Sequence, residues 1–271
     1  ILTGFYVSKC TKQLVHAEPA PRGRLHSFFD KQSGAAWQRR YGWEVDPTCI
    51  RPVPDVLEAF EVFLREIVRA GNSIVVPTPA YMPFLSVPKL YDVDVIEIEM
   101  LQSGDAETGE AQWVFDFDAI ERAFAAGCHA FVLCNPHNPI GKVLTLEEEL
   151  RLSDLAAQYD VRIFNDEIHA PFVFEGKHIP FPTISEQAAL QSMTATSASK
   201  SFNIPGTKCA QVLLTNPADR DMWAVKAEWS EHQTATIGAI ATTTAYNEGD
   251  LWFQDAFAYV CRNLALFDEQ M

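Results

Sequence analysis

The sequence predicts an α/β fold: a mainly parallel sheet flanked by helices. Three observations carry this expectation. Short β-branched, apolar runs alternate with longer helical patterns through the middle of the chain. Two of these runs, His129–Cys134 and Val161–Phe164, are apolar at successive positions, as expected of strands covered on both faces. The 271 residues are 48% hydrophobic and 11% aromatic, enough for a sizeable core and outside the range of disordered chains.

The elements follow in order. Residues 1–30 have weak periodicity and read as an arm or irregular entry, followed by a helix over about 30–41. A second helix starts at Val56, after Pro54, and runs to about Arg69, where Ala70-Gly71 stops it. Ser73–Val76 is a strand closed by Pro77-Thr78-Pro79, and Val93–Ile98 is another. Phe117–Ala126 forms a helix ended by Gly127, and His129–Cys134 forms the strand after it. Thr145 to Glu148 match a capping box, in which the Thr hydroxyl takes a free amide and the Glu reaches back. That helix ends near Tyr159, and Glu147–Glu149 read as a solvated acidic face favoured by the helix dipole. Val161–Phe164, Ser192–Thr196 and Ala210–Leu214 supply further strands, and after Pro217 the pattern is mostly helical. No internal repeat or low-complexity segment interrupts the series. The main domain therefore covers 31–250, with 251–271 as the start of a further helix.

Charge and cysteine usage exclude several function classes. The formal net charge is −15, which would repel a phosphate backbone, so no nucleic-acid partner is expected. Residues 1–51 hold eight Lys/Arg against four Asp/Glu, and Arg22, Arg24, Arg39 and Arg40 read as a solvated basic stretch. The cysteines at 10, 49, 128, 134, 209 and 261 have neither C-x-x-C nor zinc spacing, so no metal site is expected. They read as reduced, mostly buried thiols of a cytoplasmic protein. No apolar run approaches the ~20 residues of a membrane helix, and Ile1–Cys10 lacks the core of a secretory signal. The chain starts without Met and stops within a helical pattern, so a piece of a longer protein is expected.

Three buried strands run into polar clusters: Asn135–Pro139, Asn165–His169 and Ser197–Lys200. In an open parallel sheet such clusters converge at the carboxyl edge, where ligands bind. The inventory is one lysine, one buried acid, an Asn between prolines, and hydroxyls beside the lysine. P-loop, dinucleotide-binding and G-x-S-x-G patterns are all missing from the sequence. A lysine with an acid on a neighbouring strand suits pyridoxal 5′-phosphate (PLP). This cofactor needs an amine for its aldehyde, an acid against its pyridinium nitrogen and donors for its phosphate. Plainer readings stand beside these: Asp166 as a helix cap, Tyr81 as a turn aromatic packed under Pro79 and Pro83, His169 as a core histidine, Lys208 as a solvated lysine. His137 reads as a rim residue.

The motifs N-P-H-N-P-x-G (135–141), N-D-E-I-H (165–169) and S-A-S-K-S-F-N-I-P-G (197–206) resemble the fold-type I PLP enzymes of aminotransferase class I/II. With V-V-P-T-P-A-Y-M-P-F (75–84) and Y-G-W-E-V (41–45), they are most similar to the MalY/PatB branch of cystathionine, or cysteine-S-conjugate, β-lyases. The resemblance covers roughly residues 37–271 and implies that 31–250 form the PLP-binding large domain. It implies that Lys200 anchors the cofactor and shuttles the Cα proton, that Asp166 pairs with the pyridinium nitrogen, and that Asn138 contacts O3′. Tyr81 would stack on the ring, with Ser197, Lys208 and amides at the start of the Val56 helix holding the phosphate. His169 would donate near O3′, and Ser199 would support the lysine.

The resemblance also implies a homodimer and a small amino-acid substrate. The implied reaction cleaves a carbon–sulfur bond to a thiol, pyruvate and ammonia. An aminotransferase on the same scaffold is the first alternative, and a PLP-binding regulator with little turnover is the second. Nothing in the chain matches the family's small C-terminal domain, whose arginine grips the substrate carboxylate, so this chain alone is expected to turn over poorly. Leu251–Met271 would be the helix leading into that domain, with Trp252, Phe253, Phe257, Val260, Leu264 and Phe267 partly uncovered. Tyr6 is a weak match to the tyrosine that reaches the partner subunit's phosphate.

Overall fold

In the computed structural model, residues 22–104 and 112–270 are described. Of the arm expected over 1–30, residues 1–21, with Tyr6 and Cys10, lie outside the described residues. The elements are α1 (Arg22–Tyr41), β1 (Ile50–Val53), α2 (Val56–Val62), β2 (Ser73–Thr78), α3 (Met82–Ser86), β3 (Asp94–Glu99), β4 (Leu101–Ser103), β5 (Gln112–Val114), α4 (Phe117–Ala125) and β6 (Ala130–Cys134). Then come α5 (Leu146–Gln158), β7 (Arg162–Asp166), α6 (Glu186–Gln191), β8 (Ser192–Thr196), α7 (Ala198–Ser201), β9 (Ala210–Leu213), α8 (Pro217–Lys226), α9 (Glu228–Glu231), α10 (Thr236–Glu248) and α11 (Asp250–Asp268).

Seven strands form one sheet in the order β1-β9-β8-β7-β6-β2-β3, and β4 and β5 form a separate hairpin pair. Pairing from β8 through β7, β6 and β2 to β3 is parallel. The strand β9 is antiparallel to both β8 and β1. Only β9 is therefore reversed, and the expected mainly parallel sheet holds. The central strands β6 and β8 are buried at every position, which is why they read as continuous apolar or small-residue runs.

Side-chain alternation sends β6 to both faces: Val132 and Cys134 join one core cluster, Phe131 and Leu133 the other. The first cluster packs α2 and α8 on the sheet. At its centre Phe164 lies 4.9 Å from Phe60 and 5.5 Å from Phe63, centroid to centroid. Such ring pairs add about 0.5–1.5 kcal/mol each beyond simple burial. The second cluster packs α4 and α5, through Ile120, Phe124, Leu152 and Ala156.

The helix signals behave as the sequence predicts at two ends. Thr145 accepts from Glu148 N while the Glu148 side chain accepts from Thr145 N, completing the capping box of α5. Gly127 takes φ +95° just after α4, where a side chain would be strained.

Several expectations need correction. The first helix starts at Arg22, well before residue 30; Leu25, Phe28 and Phe29 have helical spacing, but the helix as a whole has little amphipathic contrast to announce it. The helix from Val56 widens into a π-helical stretch, Phe63–Val68, before its end. The edge strand β1 was not anticipated, since Arg51 and Pro52 obscure it; an edge position tolerates the proline. The short β4–β5 pair was also missed. Arg39 and Arg40 are not part of a freely solvated stretch: Arg39 donates to Tyr246 O at 2.6 Å, and Arg40 pairs with Asp250 at 2.8 Å. The Arg40 guanidinium also lies 5.2 Å over the Phe202 ring. Along α11, Trp252, Phe253 and Phe257 are half-buried and Val260, Leu264 and Phe267 exposed, as expected.

Helix α10 comes so close to the turn before β9 that its Gly238 leaves no room for a methyl. A Cβ there would sit 2.2 Å from Thr207 O and 2.8 Å from Cys209 Cβ. Gly238→Ala should therefore destabilise the fold by about 3 kcal/mol, against an otherwise helix-favouring change. Urea denaturation checks this, and an unchanged midpoint would contradict the close approach.

Candidate active site

The strand directions decide what meets at the sheet's carboxyl edge. The strands β2, β6, β7 and β8 all end there, with Cys134 opposite Asp166 and Asp166 opposite Ala195. Because β9 is reversed, its beginning lies at this edge, so Lys208 and Cys209 just precede it. Because β1 is antiparallel to β9, its end lies there too: Val53 pairs with Ala210, and Pro54-Asp55 follow. One cavity of about 260 Å³ collects these segments.

All eight residues singled out from the sequence line it. Tyr81 comes from the loop after β2, Asn138 from the loop after β6, and Asp166 and His169 from β7 and beyond. Ser197, Ser199 and Lys200 come from the turn after β8, and Lys208 from the turn before β9. Lys200 is exposed, while Asp166 is 5% exposed.

The Asp166 carboxyl is capped from one side, its Oδ1 accepting from Ile168 N at 3.0 Å. Burial pushes its pKa up to about 7, the Ile168 amide pulls it down, Glu167 raises it and the Lys200 charge lowers it. The helix-cap reading of Asp166 fails, since a turn and not a helix follows it; the carboxyl instead takes the Ile168 amide of that turn. His169 is half-buried, and burial followed by the Lys200 charge lowers its pKa, so its ring is neutral near pH 7. Tyr81 is 39% exposed, its ring edge-on to Phe84 at 5.6 Å. Ser197 is buried: its Oγ donates to Cys209 O at 2.8 Å and accepts from Ser199 N at 3.0 Å, which ties the β8 turn to β9.

Other assignments change. His137 is buried, not at a rim, and its Nε2 lies 2.8 Å from Pro79 O, joining the loops that carry Asn138 and Tyr81. Burial lowers its pKa. Glu149 is not on a solvated face; it is wholly buried and its Oε1 accepts from Asn135 Nδ2 at 2.7 Å. Asn135 Oδ1 in turn accepts from Leu144 N at 3.1 Å, so this carboxyl braces the loop bearing Asn138. Nearby, Glu167 is wholly buried, accepts from Phe181 N and Asn165 Nδ2, and faces His178 at 3.2 Å.

Sequence reasoning missed Asp55. Its Oδ1 accepts from Glu58 N at 2.9 Å as the cap of α2, and its Oδ2 pairs with Lys208 Nζ. The signal was available, since Asp55 directly precedes an apolar helical run and stands three residues before a Glu. Cys134 and Cys209 also line the cavity, with thiol pKa values raised by burial. Among the described residues no group of three or more His, Cys, Asp or Glu could hold a metal ion, and no helix is long and apolar enough to cross a membrane.

The donor set fits PLP. Within one cavity stand an accessible primary amine, a buried carboxyl that a cationic ring partner would keep ionised, and polar groups from five segments. Lys208 and the β8-turn serines stand together at one side of the cavity.

Comparison with known proteins agrees with this geometry. Residues 24–260 match the family Aminotransferase class I and II. The chain is 37% identical over 220 residues to cystathionine beta-lyase of Corynebacterium glutamicum, covering 81% of this chain and 56% of that one. It is 28% identical over 240 residues to cystathionine beta-lyase PatB of Bacillus subtilis, covering 86% and 60%. Among solved structures, a candidate PLP-dependent beta-cystathionase from Corynebacterium diphtheriae superposes with a TM-score of 0.84 at 31% identity, covering 97% of this chain and 66% of that one. The chain thus spans less than two thirds of the length of these relatives.

The buried Glu149 gives a pH prediction. Burial raises its pKa from 4.5 to about 9, Glu167 adds to the rise, Asn135 opposes it and Glu148 adds a little. Above pH 4.5 the unfolded chain releases this proton while the fold retains it. Stability therefore falls as pH rises from about 4.5 towards 9. Glu149→Gln keeps an acceptor for Asn135 and removes that drain. It should raise stability by about 3 kcal/mol at pH 8 and leave it unchanged below pH 4.5. Thermal melts at the two pH values check this; an equal effect at both would mean the carboxyl is ionised when buried.

Proposed function

The chain belongs to the aminotransferase class I and II family, and from that footing we propose that it forms the cofactor-binding part of a PLP-dependent carbon–sulfur β-lyase. Its substrates are cystathionine or related cysteine S-conjugates, and its products a thiol, pyruvate and ammonia. The observation that carries the cofactor reading is Lys200 and Asp166 lining one cavity from adjacent parallel strand ends. The 37% identity to a cystathionine beta-lyase supports the lyase outcome over the wider family's transamination.

Each residue has a task in this reading. Bound PLP supplies an electron sink for charge developing at the substrate Cα. Lys200 provides the amine that anchors the cofactor covalently. The same amine is the base that would take the proton from the substrate Cα. Asp166 holds the ring nitrogen protonated: a cationic partner lowers its pKa, so pairing replaces the neutral acid that burial alone favours. Asn138 and His169 orient the ring oxygen, and Tyr81 covers the ring face. Lys208 holds the phosphate together with Ser197, whose hydroxyl turns from Cys209 O to reach it, and Ser199 fixes the turn bearing Lys200. We assign residues 31–250 to the cofactor domain and 251–271 to a helix leaving it. The working unit is a cytoplasmic homodimer.

Product analysis tests the reading. With PLP and cystathionine, pyruvate and thiol should appear without any added oxo acid. Lys200→Ala should abolish product formation, and Asp166→Asn should lower its rate by at least about 100-fold, the usual scale for a lost charge partner at a reacting centre. Amino-group transfer that requires an oxo acid would instead identify an aminotransferase. Turnover by this chain alone is expected to be slow; cofactor binding with neither reaction in a chain spanning the full length of its relatives would favour a regulatory protein.

A further inference from the structure

The cavity holds two lysines in different electrostatic settings. Lys200 lies close enough to Asp166 for its charge to lower that group's pKa. Lys208 is paired with the carboxylate of Asp55, 153 positions away in sequence. The side chains are 55% and 40% exposed, so water reaches the pair and it can exchange partners.

The backbone beneath the pair is held firmly. Val53 and Ala210 are partners in the β1–β9 ladder, so the segments carrying Asp55 and Lys208 leave the sheet side by side. Lys208 is left-handed, at φ 51°; its N donates to Pro205 O and its O accepts from Ala235 N, each at 3.3 Å. The close approach of Gly238 to Thr207 allows this turn little movement. Asp55 is fixed through Oδ1, which caps α2, while Oδ2 remains for Lys208.

An anion entering this corner would find Lys208 already neutralised and a carboxylate beside it. Resting on the PLP reading of the cavity, we propose that Asp55 is a built-in counter-anion that competes with the cofactor's phosphate for Lys208. It thereby limits how tightly the phosphate corner binds. The carboxylate must turn away from Lys208 for the lysine to grip the phosphate.

The test is Asp55→Asn in the full chain. This variant keeps an oxygen to cap α2 and removes the charge. Wild type and variant are titrated with PLP and with pyridoxal, which lacks the phosphate, following the cofactor's absorbance. Inorganic phosphate is then added as a competitor of PLP. The variant should bind PLP about two- to fivefold more tightly, the scale expected for one exposed ion pair. Inorganic phosphate should compete more effectively against it, and pyridoxal affinity should be unchanged. Asp55→Ser, which also caps without charge, should behave alike if Asp55→Asn folds poorly. Equal or weaker PLP binding by both variants, with a wild type that does bind PLP, would overturn the competition alone. Failure of the wild type and both variants to bind PLP would overturn the cofactor reading and the competition with it.

Discussion

The site depends on the alignment of strand ends. The ends of β6, β7 and β8 lie level because Cys134, Asp166 and Ala195 stand opposite one another in parallel pairing. A slip of one residue in β7 would turn Asp166 to the other face of the sheet and bring its neighbour into the cavity. The core secures this register from both sides, since the same strands feed Phe164 into one cluster and Phe131 and Leu133 into the other. The reversed strand β9 completes the arrangement. Its direction brings Lys208 to an edge that otherwise receives only strand ends.

A second consequence is a concentration of buried acid. Asp166, Glu167 and Glu149 are each at most 5% exposed, and the mutual repulsion of neighbours raises the pKa of Asp166 and Glu149 further. Burying such groups opposes folding unless each is hydrogen-bonded or protonated. The structure answers with amides: Ile168 N for Asp166, Asn135 for Glu149, and Phe181 N and Asn165 for Glu167. These bonds also fix the loops after β6 and β7. The polar groups that make the cavity expensive to fold are therefore the ones that hold its walls in place.

Much of this was legible in the sequence, for identifiable reasons. Buried parallel strands leave continuous apolar runs, and the polar clusters after them are abrupt, so eight candidate residues could be singled out, and all eight line the cavity. The capping box of Thr145 and Glu148 was local and therefore readable. What escaped depended on tertiary context. Glu149 belongs by spacing to the buried face with Leu152, Ser153 and Ala156, but its charge pointed to solvent. The partner of Asp55 is 153 residues away, and only the pairing of β1 with β9 makes them neighbours. The strand β1 itself was hidden by Arg51 and Pro52, and the start of α1 by the weak amphipathic contrast of the whole helix.

The central claim is that these strand ends deliver one reactive amine to PLP. The most direct measurement is to incubate the chain with PLP, reduce with borohydride, and locate the adduct by peptide mass spectrometry. The account predicts a single dominant adduct on Lys200, reduced in yield when Asp166 is replaced by Asn. A dominant adduct on Lys208, or adducts scattered over surface lysines with Lys200 unmodified, would contradict it.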